Sequence, residues 1–189
     1  VQAACGLTLA AAEDAMREHI RLCFDCCHMA VEYEDPREAL ARLRAAGIKI
    51  GRIQLSSAIR VDVPDTTNDR AGLNRRLTPF ADSTYLHQVA ARHANDRRHF
   101  ADLDDAIACG SGCGDEWRIH FHVPLFAGDF DGLGSTQAYV AEVISQAART
   151  PLTTHLEIET YTWDVLPPAL KMDLGESIGR EYDWVLGAL

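Results

Sequence analysis

The stretch WRIHFHVPLF, residues 117–126, decides how the fold of this chain is interpreted. Its apolar residues predict a strand, in which successive side chains point to opposite faces. His120 and His122 therefore lie on one face, and Ile119 and Phe121 lie on the other. Two neighbouring imidazoles on such an apolar strand require a chemical or structural reason.

The composition limits the classes of protein to which this chain can belong. Of its 189 residues, 47% are hydrophobic and 24% are charged, which is typical of one compact soluble domain or a large part of one. No apolar run approaches the roughly 20 residues that span a bilayer, so membrane insertion is not expected. The net charge of -10 argues against a nucleic-acid partner, because proteins that bind polyanions carry basic surfaces.

The cysteine pattern indicates a compartment. Six cysteines, two of them adjacent, are more typical of free thiols in a reducing compartment than of a disulfide framework, so a cytoplasmic protein is expected. Cys109 and Cys113 are interpreted as plain loop residues. Cys23, Cys26 and Cys27 are interpreted as buried thiols rather than zinc ligands, because one CxxC pair alone is weak support for zinc.

Apolar strands alternate with amphipathic helices along the chain, which is typical of βα units in a parallel sheet. Strands are predicted over residues 21–25, 50–56, 117–126 and 154–161, and helices over 35–47, 135–150 and 176–189. The polar segment 62–78 predicts a surface loop with at most a short helix. Residues 84–102 predict an inserted β-hairpin that turns at Asn95 and Asp96.

The four predicted strands share one property, a polar face opposite an apolar one. The polar positions are Cys23 and Asp25, then Arg52, Gln54 and Ser56, then His120 and His122, then His155, Glu157 and Glu159. An open doubly wound sheet is covered on both faces, so its strands should be apolar throughout. A (β/α)8 barrel can be polar inside, near the carboxyl ends of its strands. We therefore predict four parallel strands of such a barrel, with both histidines in its mouth.

Side chains at the predicted strand ends form a candidate metal site. They are Asp25, His28, Gln54, His120, His122, Glu157 and Glu159. Imidazole nitrogen and carboxylate oxygen together suit zinc, manganese, cobalt or iron, and an amide carbonyl would favour a harder ion such as magnesium. A divalent metal cofactor is therefore predicted.

The motif DCCH at residues 25–28, an Asp-x-x-His at a strand end, resembles the xylose-isomerase-like TIM barrels. This superfamily includes sugar isomerases, ketose epimerases and endonuclease IV. The resemblance implies that Asp25 binds the metal and that His28 lies at the metal or the substrate. It also implies that Gln54 and Arg60 stand where the ketose epimerases have a metal-binding His and an Arg.

Other blocks extend the resemblance along the chain. FDCCHMAVEYEDP, IGRIQLSSA, STYLHQV, WRIHFHVPLF and HLEIETYTWDVLPP are similar to the EboE family of metabolite traffic proteins, barrels of the same superfamily. The resemblance implies that residues 1–189 are one partial domain, the carboxyl-terminal half of a barrel. It implies that Glu159, or Glu157 one layer deeper, is the last metal ligand.

A half-barrel has consequences for partners and activity. It would leave the edges of strands 21–25 and 154–161 unpaired, so self-association or pairing with the missing amino-terminal half is expected. The missing half would also carry a second acid/base Glu, so this chain alone is expected to be inactive. Gln54, in place of the usual His, is a departure from the superfamily pattern.

The leading functional prediction is a divalent-metal-dependent isomerase or epimerase of a sugar-like or polyol metabolite. Glu159 would move a proton, Asp25 and His122 would hold the metal, and His28 and Arg60 would orient substrate oxygens. A non-catalytic carrier of a biosynthetic intermediate is the alternative, which Gln54 favours. Phosphodiester hydrolysis, as in endonuclease IV, ranks last because a basic surface is lacking.

Structural roles remain alternatives for most of these residues. Asp25 with His28 could form a strand-end turn, and His120 with His122 could bond backbone carbonyls in a core. Glu157 or Glu159 could pair with Arg52 or Arg118 across strands. Trp163 and Tyr161 could stack on a ligand, or Trp163 could pack under the last helix. His87 is interpreted as a surface residue.

Overall fold

The computed structural model describes residues 2–81, 84–110 and 112–189. The helices are α1 (Gln2–Cys5), α2 (Leu9–His19), α3 (Cys26–Val31), α4 (Pro36–Ala45), α5 (Thr67–Leu77), α6 (Leu103–Ala108), α7 (Gln137–Arg149) and α8 (Leu174–Ala188). The strands are β1 (Leu22–Asp25), β2 (Ile50–Leu55), β3 (Ser57–Asp62), β4 (Val89–His93), β5 (Asp96–Phe100), β6 (Glu116–Val123), β7 (Asp129–Phe130), β8 (Leu133–Ser135) and β9 (Leu156–Ile158). Within the described ranges, none of the helices has the length and apolar character to cross a membrane.

The first sheet is parallel and has three strands in the order β1-β2-β9. Phe24, Ile53 and Leu55 on its apolar face pack with Leu40 of α4 and Val143 of α7. This packing explains the predicted helix at 35–47, in which Pro36 takes the first helical position and Asp35 caps the amino terminus. β1 and β9 are the outer strands, so the sheet has two open edges, and self-association through them stays a prediction.

The second sheet is antiparallel and overturns the predicted fold. β6 lies in a six-stranded sheet of order β5-β4-β6-β3-β8-β7, where it pairs antiparallel with β3 and β4. The prediction of four parallel strands in the carboxyl-terminal half of a (β/α)8 barrel is therefore wrong. The physical reason is that side-chain alternation is the same for a strand in either direction. The expectation of a missing half-barrel loses its basis.

The strand β3, which the sequence analysis missed, connects the two sheets. Only Ser56 separates it from β2, and the alternating pattern runs through both strands without a turn residue. The chain thus leaves the parallel sheet and enters the antiparallel one directly. The segment 62–78, predicted to be a surface loop, contains the 11-residue helix α5, whose Leu73 and Leu77 are buried against the second sheet.

The core of the second sheet is formed by the apolar face of β6. Trp117, Ile119 and Phe121 are fully buried and pack with residues of α5 and α6. The hairpin predicted within 84–102 is present as β4 and β5, and β4 pairs directly with β6, so the hairpin is an integral part of the sheet. A disulfide joins Cys109 and Cys113, so the interpretation of these two cysteines as plain loop residues is wrong.

The short helix α3 lies against the polar face of β6 and is held there by an ion network. Arg118 of β6 donates to the carbonyl of Ala30 in the last turn of α3, at 2.5 Å. The buried carboxylate of Glu116 pairs with Arg118 at 2.8 Å and with Arg60 and Arg92 at 3.1 Å each. Burial raises the pKa of Glu116, but the guanidinium groups outweigh burial, and its pKa lies below the ordinary value.

We expect Glu116→Ala to lower the free energy of unfolding by about 2 kcal/mol, because it leaves several guanidinium groups without their buried carboxylate partner. Asp62→Ala is the control, since the side chain of Asp62 is 81% exposed and its pairing with Arg60 should contribute little. Urea unfolding of both variants measures the difference. Equal losses in the two variants would contradict this role for Glu116.

Candidate metal site

A candidate metal site lies where α3 begins, beside the carboxyl ends of the parallel strands. Cys27 of α3 and His120 and His122 of β6 offer ligand atoms that all lie within 4.8 Å of one another. The ligands of a tetrahedral zinc ion stand about 3.5 Å apart, so small side-chain adjustments would bring these three atoms onto one ion. The two histidines of the decapeptide are thus brought together with a thiol that the sequence analysis set aside.

Asp25 fixes the first turn of α3 and thereby places Cys27. Its Oδ1 accepts hydrogen bonds from the backbone N–H groups of Cys27 and His28, at 2.9 and 3.3 Å, and from the hydroxyl of Ser56 at 2.7 Å. This arrangement is a helix N-cap at a strand end, one of the structural alternatives considered for Asp25. Asp25 lies beside the group of three and is not a member of it.

His122 is held in the tautomer that a metal requires. Its Nδ1 lies 3.1 Å from the carbonyl oxygen of Glu159, and since a carbonyl only accepts, Nδ1 carries the proton. Its Nε2 therefore keeps a lone pair, which is buried and has no hydrogen-bond partner among the described residues. Buried acceptors without partners are rare, and a carbonyl-anchored imidazole is the usual form of a metal-binding histidine.

Both histidines of β6 are neutral at physiological pH. Burial lowers the pKa of His120 to about 4, and the neighbouring His28 lowers it further. Burial likewise lowers the pKa of His122 to about 4, with His120 as the next cause. Neutral imidazole is the form that binds metal ions, so protons compete weakly for these two ligands above pH 5.

Cys27 differs from the histidines because it is protonated without a metal. Its side chain is 0% exposed, and burial raises the pKa of the thiol well above its ordinary value, with Asp25 as the next cause. A metal ion binds the thiolate, so occupation of the site must displace this proton. The group thus combines two neutral nitrogen ligands with one thiol that becomes anionic on binding.

The lowered pKa values of these two histidines make stability depend on pH. Their ordinary pKa of 6.5 applies to the unfolded chain, whereas the folded value is about 4. Between these values the unfolded state binds more protons, so we expect stability to fall as the pH falls from 6.5 to 4. For the 1% exposed His122 this loss is at most about 3 kcal/mol.

Urea unfolding of the metal-free protein as a function of pH tests this expectation. His122→Gln should flatten the dependence in that window, whereas His155→Gln, a change at an exposed histidine just before β9, should leave it unchanged. If the change of unfolding free energy with pH is the same in the wild type and in His122→Gln, then His122 is not buried in its neutral form.

Glu159 and Gln54 lie next to the group. The Gln54 amide donates to the Glu159 carboxylate, and the pKa of Glu159 is raised by burial, then by the nearby charges of Asp25 and Glu157. The carboxylate of Glu159 also acts electrostatically on the Cys27 thiol. Glu159 is thus a carboxylate of raised basicity beside the candidate metal site.

The remaining predicted site residues have other neighbours. Glu157 is half exposed and pairs with Arg52 at 2.6 Å, which is the strand-to-strand ion pair considered as an alternative. Arg60 is engaged by Glu116 and lines a separate cavity of about 350 Å³. Trp163 packs against the core of the second sheet, with the ammonium of Lys171 4.9 Å above its ring.

Sequence reasoning missed Cys27 as a ligand of the site and placed His87 wrongly. Cys27 stands between Asp25 and His28 in the quoted motif, but only pairs of cysteines were weighed as zinc ligands. Tyr161, for which stacking on a ligand was one of the alternatives, has its ring 4.4 Å from the His122 ring and 6.2 Å from that of His120. His87, interpreted as a surface residue, is 0% exposed and packs on Phe121, so that interpretation is wrong.

A cavity of about 280 Å³ adjoins the site at His120. Its lining also includes His28, Gln88 and His99. The cavity could hold a molecule the size of a small sugar.

Comparison with known protein families, with curated proteins and with solved structures found no match to this chain. The resemblance to the xylose-isomerase-like superfamily and to the EboE family stays a prediction, although the half-barrel fold that it implied is wrong. The geometry described above is the basis for any function.

Proposed function

We propose that the protein binds a divalent metal ion at Cys27, His120 and His122 and uses it to isomerise or epimerise a small sugar-like metabolite. The observation that carries the proposal is the buried, unpartnered Nε2 of His122 beside a second neutral imidazole and a buried thiol. One metal ion would satisfy all three groups, and no hydrogen-bond partner within residues 2–81, 84–110 and 112–189 does so for Nε2 of His122.

The donor set favours zinc among the metals predicted from sequence. Thiolate and imidazole are ligands of zinc and of its substitute cobalt, whereas magnesium prefers oxygen ligands throughout. The candidate group contains one sulfur and two nitrogen ligands and no oxygen. Magnesium and manganese therefore fit this group less well than zinc.

A catalytic role is supported by the number of ligands. Closed structural zinc sites have four protein ligands, whereas catalytic sites have three and an open position. Here the group has three ligands, and one of them, His120, lines a cavity of about 280 Å³. The metal, when bound, would polarise a carbonyl or hydroxyl oxygen of the substrate. Glu159, with its raised pKa, would then take a proton from the neighbouring carbon and return it.

Because the chain is not a half-barrel, the expectation that it is inactive alone loses its basis, and the purified chain itself can be tested. Zinc-loaded protein is incubated in D₂O with a panel of ketoses and aldoses, and deuterium at the carbon beside the carbonyl is measured by NMR. Glu159→Gln should lower exchange at least roughly 100-fold and keep the metal. Glu157→Gln is the matched control and should retain exchange.

A second candidate, a non-catalytic carrier, is favoured by the hydrogen bond that Gln54 donates to the Glu159 carboxylate, since this bond occupies the proposed base. Metal-loaded protein that binds polyols but exchanges no deuterium would support the carrier and contradict the enzyme. Protein that holds no stoichiometric metal would contradict both forms of the proposal.

A further inference from the structure

We propose that His28 is a fourth, exchangeable ligand of this metal centre, which closes the centre while the cavity is empty and leaves it when a substrate oxygen binds. The inference rests on the metal binding proposed above and adds the regulation of the same site. It assigns His28 a role that differs from orienting a substrate.

The first observation in favour of His28 as a ligand is the distance between two nitrogen atoms. The Nε2 atoms of His28 and His120 lie 3.2 Å apart, with the ring planes at 78°. Two nitrogen ligands of a tetrahedral zinc ion, each at about 2.0–2.1 Å from it, are themselves about 3.3 Å apart. The two nitrogens therefore already have the separation of two ligands on one ion, and without a metal one of them donates a hydrogen bond to the other.

Exposure separates His28 from the other ligands. Cys27 and His122 are buried, at 0% and 1%, so the packing around them holds them in the site. The side chain of His28 is 61% exposed and lines the cavity of about 280 Å³. It stands outside the group of three, so binding needs a rotation of its ring, and an exposed side chain makes such a rotation at little cost.

Asp25 prepares His28 for this role. Its Oδ1 anchors the backbone N–H of His28, while its Oδ2 lies 3.7 Å from Nδ1 of the imidazole. A carboxylate near Nδ1 favours the proton on that nitrogen and leaves the lone pair on Nε2, the atom that faces His120. The backbone is thus fixed while the ring can move, as an exchangeable ligand requires.

The consequence is a centre with two states. With His28 bound, the ligands are one thiolate and three imidazoles, and the closed coordination sphere leaves no position for water. With a small oxygen ligand in the cavity, His28 rotates toward solvent and the fourth position becomes available. The site would in this way be protected until a molecule of suitable size occupies the cavity.

Cobalt substitution tests the inference, because the visible spectrum of Co²⁺ reports coordination number and a separate ultraviolet band reports the thiolate. His28→Gly should weaken the visible bands as coordination changes, keep the thiolate band, and regain the wild-type spectrum when free imidazole is added. His28→Gln should show the same weakening of the visible bands. His99→Ala, a change at another histidine of the cavity, is the control and should match the wild type.

The outcomes are distinguishable. Visible bands that are unchanged in both His28 variants would overturn the exchangeable ligand and leave the metal centre intact. Absence of the thiolate band from the wild-type protein would overturn the proposed metal centre itself, and the role of His28 with it.

Discussion

Cys27→Ser should lower zinc affinity by roughly 1,000-fold. Zinc binding at protein sites contributes about 10–16 kcal/mol, so the loss of one of three ligands costs about 4 kcal/mol. The sulfur is also the one anionic ligand of the group, and a serine hydroxyl of similar size does not ionise. Competition with a chromophoric chelator measures the affinity.

The neighbouring cysteine provides a matched control. Cys26 is also 0% exposed, but it belongs to the core beneath α4 and α7 and is not in the group of three. Cys26→Ser should therefore cost stability and leave zinc affinity within a few fold of the wild type. Equal losses of affinity in the two variants would show that the effect comes from the packing of α3 and not from a ligand.

Cys27→Ser should also change the number of protons that the protein releases when it binds zinc. At pH 7 the wild-type protein should release one proton per zinc, because the Cys27 thiol is protonated while His120 and His122 are already neutral. Zinc affinity should accordingly rise about tenfold for each pH unit between pH 6 and 8. Calorimetry in two buffers counts the protons, and Cys27→Ser should release none.

Phe121→Ala should lower the free energy of unfolding by about 4 kcal/mol, the second large effect. Its ring is fully buried, 5.1 Å from the ring of Phe80 and 4.9 Å from that of His87, so the change opens a cavity in the core of the second sheet. Chemical denaturation of the metal-free protein measures this loss in the free energy of unfolding.

His120, the residue before Phe121, should give the contrasting result. His120 lies on the opposite face of β6 and is only partly buried, so His120→Ala should change the stability of the metal-free protein by less than about 1 kcal/mol. It should nevertheless abolish stoichiometric zinc binding. A large loss of stability from His120→Ala, with zinc retained, would show that both faces of β6 are structural.

Side-chain alternation was sufficient to predict the two faces of β6. An apolar side and a side with His120 and His122 follow from period two alone, and the structure places them as expected. The strands at 21–25, 50–56 and 154–161, the helix at 35–47 and the hairpin within 84–102 were found for similar local reasons. Each of these depends on residues near in sequence.

The partners of each strand could not be predicted in this way. A strand has the same alternation whichever way its neighbour runs, so the antiparallel pairing of β6 with β3 left no local signal. The passage from β2 to β3 through Ser56 also lacks the Gly or Pro that normally marks a change of direction. The histidines were therefore assigned to a barrel mouth, although their actual neighbours are Cys27 and His28.

X-ray absorption at the zinc edge of the purified, zinc-loaded protein tests metal binding by this group most directly. We predict one sulfur ligand at about 2.3 Å and nitrogen ligands at about 2.0–2.1 Å, with the sulfur lost in Cys27→Ser and retained in Cys26→Ser. A coordination shell of oxygen and nitrogen alone, or a protein that retains no stoichiometric zinc, would contradict the convergence of Cys27, His120 and His122 on one ion.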